Sequence, residues 1–391
     1  MATLQVSGVQ YSGIWTMQQV NSAISAGTWP TQPAPHLYAW GLNSNGQLGL
    51  GNTTNYSSPK QVDTLTSWSV LPTGTSIGAS LVIKTDGTLW AWGYGPGGRL
   101  GLGNTTSYSS PKQVGALTNW SKISVGYFNV LTTKTDGTLW AWGGNGFGQL
   151  GLGNITYYSS PKQIGSLTTW LTTAAGAYSS YAIKTDGTLW SWARNDYGEL
   201  GLNNTTSYSS PKQVGSLTTW SKITAGFFHA LAIKTDGTIW SWGWNSNYQG
   251  AGGQLGLGNS TNYSSPKQIG ALTTWLITNA GPYTSLATKT DGTLWSWGIN
   301  SIGELGLGNR TNYSSPKQIG VLTNWLTIAS GRYFTVSTKT DGTLWTWGQN
   351  NYGQLGTGNT TNYSSPKQVG SLTTWSSVSC SLNNVVAIAS T

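Results

Sequence analysis

A sevenfold internal repeat constrains this chain more than any other feature. Aligned on Ser-Ser-Pro-Lys, the prolines fall at Pro59, Pro111, Pro161, Pro211, Pro266, Pro316 and Pro366, in steps of 52, 50, 50, 55, 50 and 50 residues. A period of this size belongs to solenoids and propellers, whose units bury their apolar faces against one another. The 391 residues would suit two or three ordinary domains, but the unbroken repeat argues for one large closed domain over 37–391.

One unit shows the strand pattern. Lys162-Gln163-Ile164 reads as a short first strand, Trp170 to Ala175 as a second and Tyr181 to Lys184 as a third. Asp186-Gly187 between β-rich runs predicts a type I′ hairpin, which needs positive φ at both central positions. Leu189 to Trp192 is the fourth strand, with both tryptophans on one face. Four antiparallel strands per unit make a β-propeller blade. The expected fold is therefore all-β: a seven-bladed propeller with an N-terminal arm and Pro-rich linker at 1–36. The Asp-Gly hairpin occurs six times, from Thr85 to Thr340, and the seventh is missing. Val385 to Ala389 and Leu37 to Gly41 supply its two strands, so their pairing closes the ring and leaves no sheet edge.

Composition narrows the function classes. Only 7% of residues are charged, while 54 are Gly and 23 are Trp, which excludes a disordered chain. Cys380 is the sole cysteine, so disulfides within the chain and cysteine-rich zinc sites are excluded, and it reads as a small buried apolar residue. The net charge of +9 has a positional origin. Six Lys-Thr-Asp-Gly-Thr segments cancel internally. Of the remaining basic residues, Lys60, Lys112, Lys162, Lys212, Lys267, Lys317 and Lys367 recur once per unit and form a cationic ring if the units close. Neither a membrane span nor a signal peptide is expected, because no apolar run approaches 18 residues and the start lacks a basic segment.

The Trp40–Gly51 segment, Trp-Gly-Leu-Asn-Ser-Asn-Gly-Gln-Leu-Gly-Leu-Gly, is followed by a Pro-x-x-Val step and a glycine before the third strand. This pattern resembles the regulator-of-chromosome-condensation repeat family and recurs in every unit. The resemblance implies a seven-bladed propeller used for protein or chromatin binding; the family also includes a secreted β-lactamase inhibitor and a plant ultraviolet photoreceptor. The chain lacks an inserted wedge like that of the nucleotide-exchange factor and the photoreceptor's Gly-Trp-Arg-His-Thr pattern, so the resemblance supports the fold more than any one activity.

Twenty tryptophans occupy repeat positions and read as blade packing; Trp15, Trp29 and Trp244 do not. Variation concentrates in two loops per unit, after Trp-Gly and before the third strand, which should emerge on one face of the disc. The Asp-Gly turns and Ser-Leu-Thr-Thr links should emerge, unvarying, on the other. The variable positions Tyr94, Tyr127, Phe128, Arg194, Tyr197, Phe227, Phe228, His229, Trp244, Tyr248, Tyr283, Arg332, Tyr333 and Phe334 are therefore candidates for a binding face, with the lysine ring beside it. Aromatic rings with cations suit sugars, acidic polysaccharide or a protein partner. Nucleic acid is the weaker option, since lysines one blade apart do not track a groove.

Enzyme chemistry is not expected. His36 and His229 are the only histidines and neither stands near a Ser/Asp constellation. Asp196 and Glu199 read as a solvated loop with a salt bridge to Arg194. Gly-Gln-Leu-Gly-Leu-Gly imitates a dinucleotide fingerprint but no helix follows. No cofactor and no metal site is implied. The repeated Asn-x-Thr sequon reads as a turn cap.

The arm shares nothing with the repeats. Val6 to Trp15 reads as extended and Thr16 to Ala26 as a short helix. Gly8 to Trp15 with Gly27-Thr28-Trp29-Pro30 resembles the start of tailed-phage virion structural proteins. That resemblance implies a fibre or decoration subunit on the virion surface, docked through Tyr11, Trp15 and Trp29. Its variable face would then bind other virion proteins or host-surface polysaccharide. The alternative is a secreted or cellular propeller that binds or inhibits a protein.

Overall fold

β-branched and aromatic residues, which suit a pleated half-buried surface, recur along the inner three strands of each unit, as in Trp-Leu-Thr-Thr and Leu-Trp-Ser-Trp. In blade 3 the strands Trp170–Ala175, Ser179–Lys184, Leu189–Ala193 and Tyr208–Gln213 are hydrogen-bonded in that order from axis to rim. Five other sheets repeat the order, and a last blade closes the ring as expected. It joins Trp375–Cys380 and Asn384–Ser390 to Pro35–Gly41 and Tyr56–Gln61, with Leu37 opposite Ile388 and Gly41 opposite Asn384. This computed structural model describes residues 4–6, 9–11, 34–246 and 252–390. Leu4–Val6 and Val9–Tyr11 pair as a two-stranded antiparallel sheet. Trp15, Trp29, Tyr248 and the expected helix at Thr16 to Ala26 lie outside the described residues. Among the described residues no helix is long and apolar enough to cross a membrane.

Two local expectations are corrected. The Pro-Lys strand, Tyr158–Gln163, pairs with Leu139–Gly143 and is the outermost strand of the preceding blade, not the first strand of its own. The cause lies in the Gly/Asn-rich loop between them. Buried Asn145 accepts from the Leu150 amide at 2.8 Å and donates to the Asn154 carbonyl at 3.0 Å, folding the chain back onto the strand it left. The Asp-Gly turns are also not type I′. Gly187 has φ +77° while Thr185 and Asp186 do not enter that region, so a type I turn is followed by a left-handed bulge residue. Asp186 is held by its side chain, whose carboxylate accepts from the Thr188 amide at 2.9 Å and hydroxyl at 2.7 Å. Trp190 Nε1 in turn donates to that hydroxyl at 3.0 Å.

The core lies between the blades as seven clusters, one per junction. Between blades 1 and 2, for example, Leu89 and Ala91 meet Trp120 and Trp142. The second tryptophan of each pair is fully buried and staples its blade to the one before. Trp92 donates to the Gln47 carbonyl at 3.0 Å, Trp142 to that of Arg99 at 3.0 Å and Trp242 to that of Glu199 at 2.7 Å. Only glycine fits beside the staple: a Cβ on Gly49 would lie 2.7 Å from Trp92 Nε1. Burying an indole of roughly 200 Å² contributes on the order of 5 kcal/mol before entropy is counted. Cys380 is a buried member of the junction between blades 6 and 7, as its strand position suggests.

Candidate functional site at the loop end

The two ends of the disc divide as the repeat pattern predicts. Thr185 donates to the Thr169 carbonyl at 2.8 Å and Trp220 to that of Gly187 at 3.1 Å, which binds the Asp-Gly turns to the Ser-Leu-Thr-Thr links at one end. The variable loops share the other end. There the residues after the repeated glycines are Tyr127, Ala177, Phe227, Pro282 and Arg332, joined by Ile77 and Leu382 from blades 1 and 7. Ala177, Phe227, Phe228, Trp244 and Leu382 are buried together, with Ile77, Tyr127, Tyr178, Tyr197 and Tyr283 packed against them. Tyr127 and Phe227, two blades apart, have ring centroids 5.1 Å apart. The aromatics thus form a plug over the axial channel.

Burial corrects the expectation of a free aromatic face. Phe227, Phe228 and Trp244 are within the plug. His229 is buried with Nε2 3.0 Å from Ser285 Oγ, and burial pushes its pKa down to about 3, so it carries no charge at neutral pH. Phe334 belongs to the junction between blades 6 and 7. Tyr94, Tyr127, Phe128, Tyr197, Tyr283 and Tyr333 are half-buried, and Arg332 is exposed with its guanidinium 5.2 Å from the Tyr333 ring. Tyr94 lies 4.8 Å from the buried Arg99 guanidinium.

Arg194 stands out among the predicted residues. Its guanidinium lies 5.4 Å from the Phe147 ring, 5.2 Å from Tyr178, 5.7 Å from Tyr197 and 5.4 Å from Phe228. It forms the expected salt bridge to Asp196, at 2.6 Å. Of these rings Phe147 is 44% exposed, and its loop also exposes Ile155 (65%) and Tyr157 (58%), whose hydroxyl lies against Gly146. The repeat comparison missed these three, although Asn154-Ile155-Thr156-Tyr157 departs visibly from Asn-Thr-Thr-Ser at 104–107 and 204–207.

Glu199 is fully buried rather than solvated. It accepts from the Tyr197 amide at 2.8 Å, and burial pushes its pKa up to about 7. Glu304 does the same with the Ile302 amide at 2.7 Å, again with a pKa near 7 from burial. Gln47, Gln149 and Gln354 fill this role in other blades. Among the described residues no group of three His, Cys, Asp or Glu could hold a metal.

The cationic ring is not beside the loop end. Lys60, Lys112, Lys162, Lys212, Lys267, Lys317 and Lys367 are exposed on the outermost strands, each 5.3–5.9 Å from the tyrosine ring of its own strand, so they circle the outer wall. The sequon asparagines are turn caps: Asn104 accepts from the Thr106 amide at 2.9 Å and donates to the Tyr108 hydroxyl at 3.2 Å.

The RCC1-like domain profile matches residues 34–279, more than half of the chain. The chain belongs to the RCC1-like domain family. Regulator-of-chromosome-condensation repeats match again at 291–337 and 341–388. The chain is 33% identical over 78 residues to the ultraviolet-B receptor UVR8 of Arabidopsis thaliana, and 31% identical over 94 residues to human E3 ubiquitin-protein ligase HERC2. These matches cover 20% and 24% of this chain, and only 18% and 2% of the relatives. Human WBSCR16 shares the fold with a TM-score of 0.80 at 20% identity, covering 92% of this chain and 99% of that one. Saccharomyces cerevisiae Prp20p, described with its binding to Gsp1p and histones, gives 0.78 at 19% identity and 92% coverage of both chains.

Proposed function

We propose that this RCC1-like propeller is a non-enzymatic protein-binding module whose contact surface is the patch around Arg194. The observation that carries this reading is a guanidinium fixed among four rings and Asp196, one of the rings being Phe147, whose blade 2 loop also exposes Ile155 and Tyr157. Such a patch supplies both the arginine and the aromatics that dominate binding energy at protein interfaces. Prp20p, of the same fold, is described with protein partners. A triple variant Phe147→Ser, Tyr157→Ser, Arg194→Ala should lose one captured partner by at least about tenfold. Its Tm should fall by less than about 3 °C, because Tyr157 is mostly in water and Phe147 is nearly half exposed. An unchanged partner set sinks the reading.

A virion location is a narrower proposal, which rests on the resemblance of the N-terminal arm alone. Stoichiometric presence in purified particles would support it, and absence would remove it.

A further inference from the structure

One junction of the ring is chemically different from the other six. Five residues before each innermost-strand tryptophan stands a glycine: Gly115, Gly165, Gly215, Gly270, Gly320 or Gly370. At the junction between the closing blade and blade 1 that position is Asp63. Its carboxylate accepts from Trp68 Nε1 at 3.1 Å and from the Leu65 amide at 2.9 Å. Nothing replaces that carboxylate elsewhere. Trp120, Trp170, Trp220, Trp275, Trp325 and Trp375 each hold a buried Nε1–H with no hydrogen-bond partner. A buried donor left unmade is costly and requires an explanation.

The space beside these donors is open. A Cβ on any of the six glycines would meet nothing within 4 Å. Cavities of 310 Å³ beside Trp120, 310 Å³ beside Trp220, 410 Å³ beside Trp275 and 370 Å³ beside Trp325 lie between adjacent blades. Each is also walled by a leucine and by the half-exposed first tryptophan of the pair in the same blade as its innermost tryptophan, such as Trp140 or Trp345. A cation is built in: Lys339 lines the cavity at Trp325, its ammonium 4.7 Å from that ring and 3.8 Å from Trp345.

We propose that these six junctions are carboxylate-binding pockets on the outer wall, and that they accept the uronate units of an acidic polysaccharide. Asp63 is the chain's own copy of the bound group. The cavities are at the small end of ligand sites and hold more than an aspartate side chain. Their indole and leucine walls offer apolar surface to the C–H face of a sugar ring. Sixfold recurrence beside an exposed lysine ring suits a polymer with one negative charge per unit. This surface is separate from the Arg194 patch, so each proposal stands or falls alone.

The test titrates the full chain with oligogalacturonate, using its methyl ester as the uncharged control, and follows heat and indole fluorescence. Saturable binding to the acid form alone is expected. The triple variant Gly115→Asp, Gly270→Asp, Gly320→Asp supplies an internal carboxylate at three junctions and should halve the number of sites, with a lower Tm because these glycines have φ of +62°, +61° and +59°, where Asp63 does not lie. Asp63→Gly should add one site, which guards against a folding defect in the triple variant. Equal binding of the ester, or an unchanged site number in the triple variant, overturns the proposal. So does loss of binding on Lys112→Ala, Lys267→Ala, Lys317→Ala alone, which would mean diffuse charge attraction. Preference for polyglutamate over oligogalacturonate would overturn the sugar assignment in favour of acidic peptide.

Discussion

The two ends of this propeller solve the same problem in opposite ways. At the Asp-Gly end, six blades repeat one device: a carboxylate holds a threonine hydroxyl, which holds an indole N–H. Each copy closes only its own hairpin, so identical residues serve. At the loop end the side chains converge on one axis, where seven equal large groups cannot all fit. Ile77, Tyr127, Ala177, Phe227 and Leu382 differ because they share a single space. Divergence between repeats therefore marks a place where the symmetry of the ring breaks down sterically, and it does not by itself mark a contact surface.

The strongest attack on this contrast is Phe227→Ala. Removing a buried ring from a plug that exists once should cost about 3–4 kcal/mol in urea unfolding. A loss under about 1 kcal/mol would mean the loop end is open surface and the contrast fails. Glu199→Gln and Glu304→Gln sharpen it by pH. Both carboxyls have folded pKa values near 7, raised by burial, so they are neutral at low pH and must ionise at a cost as pH rises. Each substitution should be nearly neutral at pH 4 and gain stability between pH 4.5 and 7. The gain should reach on the order of 3 kcal/mol by pH 9, read from Tm against pH. The smallest effect tests repetition itself. Thr138→Val and Thr188→Val should each cost about 1 kcal/mol, and the two values should agree within a few tenths. Disagreement would show that neighbouring blades do not bear on their hairpins equally.

Much of the ring was legible because its determinants are local and recur. The period, the split final blade and the packing role of Trp-x-Trp all follow from spacing. What was hidden depended on contacts between distant residues. The phase of the blade turns on Asn145 folding a loop back onto the strand it left. The turn type rests on Gly187 meeting its neighbour link, where a Cβ would lie 2.1 Å from the Thr218 carbonyl oxygen. At the candidate site, Arg194 and its bridge to Asp196 could be read directly from Arg-Asn-Asp, whereas the burial of His229, Phe334 and Glu199 could not. The pairing of Asp63 with Trp68 was equally invisible, since a lone aspartate in a turn carries no sign of what it reaches.

The closing blade has a consequence for the order of folding. Strand Pro35–Gly41 is made long before its inner partner Asn384–Ser390, with every other blade between them in the chain. Until then a nascent ring of this chain holds an unpaired strand edge on its first blade segment, open to pairing with another chain. The most long-range strand pairing is therefore also the clasp, and a circular permutant opened in the link at 165–169, between two complete blades, should remove that wait while leaving every blade sheet intact.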